Sequence, residues 1–327
     1  MNIAVIGLGS MGKRRIRLLK DEYPEITLIG VDGRIDRQEE VRSIFDLKTY
    51  TSLDEATGKE NLDAVIISTS PISHEAIIRN ALDNELHVFT EINLINDYYD
   101  EVMLIAKEKG RQLYLSSTFL HRKEIQFIEN KISDDKQVTY RYHVGQYLPD
   151  WHPWESYKDF FVSNKKTNGC REIFAIELPW ITSVFGNFKT VEVQRAKIST
   201  LELDYPDTYS LLVTHESGIQ GTINVNIVSR ESRRELQIIG EQTTINWNGT
   251  PDSLRAWSTE ENGMQSIQLY DTFMNLEGYA KNIIEDAYLA EIKEYISLLR
   301  GEIHQTKYSF IKDKAIIDWI NVFEEGI

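Results

Sequence analysis

The sequence predicts an α/β chain: an N-terminal doubly wound parallel sheet, followed by an α+β domain built on an open, mainly antiparallel sheet. Three observations carry this. From residue 1 to about 118, short Val/Ile-rich runs alternate with longer amphipathic segments, the pattern of strand-helix-strand units that pair in parallel. Beyond that point the runs alternate apolar with polar residues and are joined by short turns, as antiparallel strands with one packed face are. The length of 327 residues suits two domains at roughly 100 to 200 residues each. The expected domains are 1–118 and 119–327, with the terminal helices free to pack back on the first.

Ile3–Ile6, Thr27–Val31, Ala64–Ser68, His87–Thr90 and Gln112–Ser116 read as the parallel strands, since continuous apolar runs suit strands covered on both faces. His74–Asn84 and Tyr98–Lys109 carry helical spacing between them. Phe119–Ile132 reads as one further helix. Strands are then expected at Val138–Val144, Val191–Ser199, Tyr209–Thr214, Ile219–Val228, Glu235–Ile239, Thr243–Trp247 and Ser266–Leu269. Ile219, Ile223, Val225 and Ile227 share one parity, and Gln220, Thr222, Asn224 and Asn226 the other, so one face packs and the other is polar. That face suits the interface of a homodimer or homotetramer, and equally simple solvation. Helices near Ala280–Arg300 and Lys312–Glu324 end the chain.

The charge excludes some functions. With 36 Lys+Arg against 51 Asp+Glu, a net −15, the chain is repelled by nucleic acids and by anionic membranes, so a small molecule is the expected partner. The lone Cys170 excludes an internal disulfide and a Cys-rich metal site. His121 and His152 have no ligand-spaced neighbours, so no metal is expected. Met1–Ile6 reads at once as a strand with no basic leader, and no run reaches the roughly 18 apolar residues of a membrane span, so the expected compartment is the cytoplasm.

Gly7-Leu8-Gly9-Ser10-Met11-Gly12 is a G-x-G-x-x-G loop directly after the first strand and at the opening of a helix. Gly7 permits the tight turn, Gly9 lets the backbone approach a pyrophosphate, and Gly12 lets helix and strand pack closely. Asp32, twenty residues after Gly12, stands where a carboxylate takes the ribose hydroxyls of an adenosine, which favours NAD. Arg34 and Arg37 follow closely and leave NADP open.

With Leu62–His74 (LDAVIISTSPISH) and His87–Asn93 (HVFTEIN), the chain resembles the glucose-fructose oxidoreductase, inositol dehydrogenase and MocA family (Gfo/Idh/MocA) over nearly its whole length. The resemblance implies a Rossmann domain and an α+β domain on an open antiparallel sheet, with the nicotinamide at the domain junction. It implies that Ser68, Thr69, Ser70 and Pro71 line the nicotinamide side, that His74 braces the turn, and that Glu91 faces the cofactor ribose. Asn93 and the Arg122 that follows the next strand join the cofactor set on the same ground. The segment Ala287–Ile296 resembles the family's late helix.

The family pattern breaks at two places. Its E-K-P triplet reads Glu91-Ile92-Asn93, so the lysine ammonium is missing. Its G-G-G-x-x-x-D-x-G-x-H motif corresponds to Asn168–Ile176, with Glu172 at the acid and Ile176 at the histidine. Alcohol oxidation needs a base for the hydroxyl proton, worth roughly a hundredfold to ten-thousandfold in rate. Glu172, Glu177, His121 and His152 are the candidates, and Glu172, His121 and His152 are taken forward. Gln146–Lys158 is dense in aromatic and polar side chains, as a loop facing a sugar ring is. The expected function is hydride transfer between NAD and a hydroxyl or keto group of a sugar, cyclitol or nucleotide-linked sugar. The competing reading is a non-catalytic dinucleotide-binding sensor or scaffold; a third is a reductase of a conjugated double bond.

Overall fold

The computed structural model describes residues 1–135, 137–152, 155–271 and 284–325. The chain divides into two compact units, Met1–Thr118 with Tyr288–Ile317, and Phe119–Ala287 with Asp318–Ile327.

In the first unit the elements run β1 (Asn2–Ile6), α1 (Ser10–Glu22), β2 (Thr27–Val31), α2 (Ile35–Phe45), β3 (Lys48–Tyr50), α3 (Leu53–Thr57), β4 (Ala64–Ile67), α4 (His74–Asp83), β5 (His87–Thr90), α5 (Tyr99–Glu108) and β6 (Leu113–Leu115). The six strands form one parallel sheet in the order β3-β2-β1-β4-β5-β6, the doubly wound arrangement. Its centre is fully apolar: Ile3, Ala4, Val5 and all of β4 are inaccessible to solvent. Against it pack Ile16 and Leu19 of α1, and Ile292, Tyr295 and Ile296 from late in the chain. β3 lacks an apolar run because it is a short, half-exposed edge strand, and no periodicity marks it.

Register sets up the site. Ile6 pairs with Val31 and Ile67, and Ile67 pairs with Thr90. Gly7, Asp32, Ser68 and Glu91 therefore leave four neighbouring strands at one carboxyl edge.

The second unit holds α6 (Lys123–Asp134), β7 (Val138–Gly145), α7 (Gly169–Phe185), β8 (Phe188–Ala196), β9 (Thr208–His215), β10 (Gln220–Asn226), β11 (Arg233–Gly240), β12 (Thr244–Trp247), β13 (Arg255–Ser258) and β14 (Gly263–Ser266). Its eight strands are ordered β14-β13-β12-β11-β7-β10-β9-β8. Every neighbouring pair is antiparallel except β7 and β10, where the chain crosses over through α7 and returns in parallel. In β10 the buried and half-exposed residues alternate with the parity read from the sequence.

Three boundaries differ from expectation. The helix expected from Phe119 begins only at Lys123, after a 3₁₀ turn over Thr118–His121, because Arg122 is extended and lays its guanidinium over the Trp247 ring at 4.8 Å. The strand expected over Val191–Ser199 ends at Ala196, since buried Asp207 accepts from the Ile198 and Ser199 N–H groups at 2.8 and 2.9 Å and turns the chain. The strand expected over Ser266–Leu269 ends at Ser266, as the second arm of a hairpin with β13. Two helices close the chain, α8 (Glu285–Leu299) and α9 (Phe310–Glu325). Residues 280–283 of the helix expected from Ala280, and Pro153 and Trp154 of the aromatic segment, lie outside the described residues.

Candidate functional site

The glycines of the 7–12 loop answer to different demands. Gly7 has φ +90°, and a Cβ there would lie 2.6 Å from the Ser68 carbonyl oxygen. A Cβ on Gly12 would lie 1.9 Å from the Gly7 carbonyl oxygen. Both are glycine because of the protein's own packing. Gly9 is not: its φ of −75° suits any residue, and the nearest atom to its Cβ position is the Arg37 guanidinium at 3.7 Å. The open space over Gly9 is what a pyrophosphate needs. Ser10, exposed, opens α1; Met11 is half-buried and Leu8 sits in the core. No side chain caps α1 and no acidic residue lies in its first turn, so its positive end is available to an anion.

Asp32 closes the loop on the β2 side. Its Oδ2 accepts from the Leu8 N–H at 2.8 Å and its Oδ1 from the Arg34 N–H at 2.9 Å. The Arg34 guanidinium is exposed and engaged with Asp36, whereas Arg37 approaches Asp32 at 3.5 Å.

On the other side, Ser68 Oγ is buried and has no hydrogen-bond partner among the described residues. Ser73 Oγ donates to Thr69 Oγ1 at 2.8 Å and to the Ser70 carbonyl at 2.7 Å, which shapes the turn. His74 is fully buried, with Nε2 at 3.0 Å from the Thr69 carbonyl and Nδ1 at 2.5 Å from Asn93 Oδ1. Burial lowers its pKa, so the ring is neutral at pH 7 and joins the loop after β4 to the loop after β5. The Glu91 carboxylate receives Arg15 side-on, Nε to Oε1 at 2.7 Å and Nη2 to Oε2 at 3.0 Å. The first unit thus gathers Gly7–Gly12, Asp32, Ser68–Ser70, His74, Glu91 and Asn93 on one sheet edge, and their donors and open space fit a dinucleotide.

The second unit separates the acid-base candidates by their surroundings. α7 is capped by Asn168, whose Oδ1 accepts from the Arg171 N–H at 2.8 Å, and Glu172 stands in its first turn. Glu172 Oε2 is buried with no partner among the described residues, and burial pushes its pKa up to about 8. Ile176, one turn on, presents an apolar side chain on the same helix face. Glu177 is different. Arg234 donates to its Oε1 at 3.0 and 2.6 Å, and Tyr142 OH and Trp180 Nε1 donate to its Oε2 at 2.5 and 2.7 Å. Both its oxygens are taken up by packing partners.

His152 pairs with Glu155 at 2.7 Å and lies against Phe160. His121 is buried at the end of the 3₁₀ turn before α6. Arg122 is buried with its charge on Glu124 at 2.5 Å, inside the second unit. In the aromatic segment Tyr147 carries the Arg230 guanidinium at 3.7 Å, and Trp151 Nε1 is buried without a partner among the described residues. Cys170 is fully buried and burial raises its thiol pKa, so it is no nucleophile. Sequence reasoning passed over Arg15 and Glu291. The one signal was a cation at position 15, beside the apolar Ile16 and Leu19 on the buried side of α1.

A glycine loop of this geometry at the point where a parallel sheet reverses its strand order defines a dinucleotide-binding Rossmann domain. Residues 1–117 match the Gfo/Idh/MocA family model, described as an oxidoreductase family with an NAD-binding Rossmann fold. The cofactor class is accordingly a nicotinamide dinucleotide. Human biliverdin reductase A is 27% identical over 209 residues, 63% of this chain and 64% of that enzyme. Inositol 2-dehydrogenase of Renibacterium salmoninarum is 33% identical over 115 residues, 34% of this chain and 35% of that enzyme. The chain thus spans less than two thirds of the length of these curated relatives. A crystal structure of an Agrobacterium radiobacter oxidoreductase with NAD+, L-tartaric acid and magnesium shares the fold at a TM-score of 0.81, covering 99% of this chain and 95% of that one at 14% identity.

Proposed function

We propose that this protein is an NAD-dependent dehydrogenase or reductase acting on a hydroxyl or keto group of a sugar, cyclitol or nucleotide-linked sugar, with Glu172 as the proton carrier. The observation that carries this reading is Glu172 Oε2, buried and without a hydrogen-bond partner among the described residues, with burial pushing the pKa up to about 8, so that both protonation states are within reach near neutral pH. A nicotinamide dinucleotide held at the glycine loop would supply the hydride chemistry. In the oxidative direction the ionised Glu172 takes the substrate O–H proton as the C–H bond breaks; in the reductive direction the neutral acid returns it. Asp32, fixed by two backbone N–H groups, supports NAD over NADP by occupying the space of a 2′-phosphate. The similarity to inositol 2-dehydrogenase and the Tyr147, Trp151 and Tyr157 faces support a cyclic polyol as substrate.

A second reading, reduction of a conjugated double bond in a tetrapyrrole, is supported by the similarity to biliverdin reductase A and by Ile92 in place of the triplet lysine. One experiment separates them. The protein is incubated with NADH deuterated at C4 and, in parallel, with keto-sugars, inosose and biliverdin, and the products are analysed by mass spectrometry. Label in a sugar alcohol supports the first reading and label in a reduced tetrapyrrole the second. Transfer to none of them, nor to a nucleotide-linked keto-sugar assayed alongside, overturns both in favour of a non-catalytic scaffold.

A further inference from the structure

Inside the first unit one arginine serves two carboxylates. Arg15 is fully buried between the rings of Phe89 and Tyr288, 4.6 and 5.3 Å from its guanidinium carbon. It donates side-on to Glu91, and its Nη2 also donates to Glu291 of α8 at 2.6 Å. Glu291 is well supplied besides: Ser116 Oγ and the Ser117 N–H donate to its Oε1 at 2.9 and 2.7 Å, and Thr118 Oγ1 donates to its Oε2 at 3.3 Å. Glu91 has no side-chain hydrogen-bond partner other than Arg15 among the described residues.

Docking α8 on the sheet needs only the Arg15–Glu291 pair. A second carboxylate on the same cation is not needed for that docking and brings one more desolvated group beside Glu291, whose pKa burial raises, a cost that points to a further role for Glu91. The exposures agree: the Arg15 and Glu291 side chains are 0% exposed, and that of Glu91 is 12%. Glu91 is the member that reaches the carboxyl edge of the sheet. On that edge Asp32 lies after β2, the glycine loop after β1, and Glu91 after β5, on the far side of the strand-order reversal. A dinucleotide with its adenosine on Asp32 and its pyrophosphate over Gly9 extends its other half towards β4 and β5.

We infer that Arg15, anchored from below by Glu291, is a positioning residue that holds Glu91 for the nicotinamide half of the dinucleotide. This rests on the dinucleotide-binding reading of the glycine loop.

The test is a double-mutant cycle on the full chain, Arg15→Lys, Glu91→Gln and the two combined, with NADH and ADP affinities measured by fluorescence titration and competition. ADP reports the adenosine half alone. Lysine keeps a charge for Glu291 but cannot make the side-on fork. Arg15→Lys should weaken NADH about tenfold and ADP less than about twofold, and should add nothing further in the Glu91→Gln background, since both changes remove one interaction. Glu291→Gln, judged by the same NADH-to-ADP ratio, takes the place of Arg15→Lys should the latter not fold. Equal losses for NADH and ADP, or additive losses in the cycle, overturn the inference while the dinucleotide reading stands. A wild-type protein that binds neither overturns both.

Discussion

The Cα of Gly12 faces the carbonyl oxygen of Gly7 so closely that a Cβ on residue 12 would lie 1.9 Å from that oxygen, whereas three residues earlier, at Gly9, the same atom would meet nothing nearer than 3.7 Å. The two glycines therefore give opposite responses to alanine. Gly12→Ala must displace backbone and should cost about 1–3 kcal/mol of stability, seen as a lower denaturation midpoint. Gly9→Ala should leave the midpoint nearly unchanged and weaken NADH at least about tenfold, because the added methyl occupies ligand space. Equal effects of the two on stability would refute the distinction.

With the role proposed for it, Glu172 should make both stability and turnover depend on pH. Its folded pKa of about 8 lies above the ordinary value of 4.5, so the folded protein holds a proton there that the unfolded chain releases. The stabilising contribution is full below about pH 4.5 and is lost as pH rises through 8. Glu172→Gln, which cannot ionise, should gain stability relative to wild type as pH is raised from 5 to 9, read as a widening difference in Tm. Oxidative turnover should rise through about pH 8 and reductive turnover fall; the variant should lose roughly a hundredfold or more in kcat and keep its NADH affinity.

Arg234→Ala leaves the Glu177 carboxylate buried without its cation and should cost about 3–5 kcal/mol. Glu177→Gln leaves a single accepting oxygen for the donors of Arg234, Tyr142 and Trp180, but the cation it unpairs is 15% exposed and keeps some solvation, so it should cost somewhat less. Urea titrations of the two variants decide it; a larger loss for Glu177→Gln would mean that the anion is not held as the hydrogen bonds indicate.

Asp32→Ser removes the carboxylate whose two oxygens accept from the Leu8 and Arg34 N–H groups and opens the end of β2 near Arg37. NADH affinity should fall about tenfold while NADPH affinity rises, so the ratio of the two dissociation constants is the measurement. An unchanged ratio would take Asp32 out of cofactor selection.

The parts legible in the sequence are those determined by neighbours along the chain. β1 and β4 carry continuous apolar runs because both their faces are covered, and the loop 7–12 is visible because steric demand writes glycine at positions 7 and 12. Illegible features depend on distant partners. Glu172 and Glu177 have equal standing on α7 until Arg234, 57 residues beyond Glu177, saturates one and leaves the other alone. Arg15 meets Glu291 across 276 residues, a pairing that no local pattern encodes. The late start of α6 is likewise set by where Trp247 receives Arg122.

The burial of Cys170 has a practical side. It is the chain's one cysteine and is fully enclosed, so wild-type protein should be nearly silent to maleimides under native conditions. A cysteine introduced at Ile311, 71% exposed in the first unit, and another at Ile198, 66% exposed in the second, would be the two reactive thiols. A dye pair attached there would report the distance between the two labelled positions with and without added NADH, with no background thiol to remove.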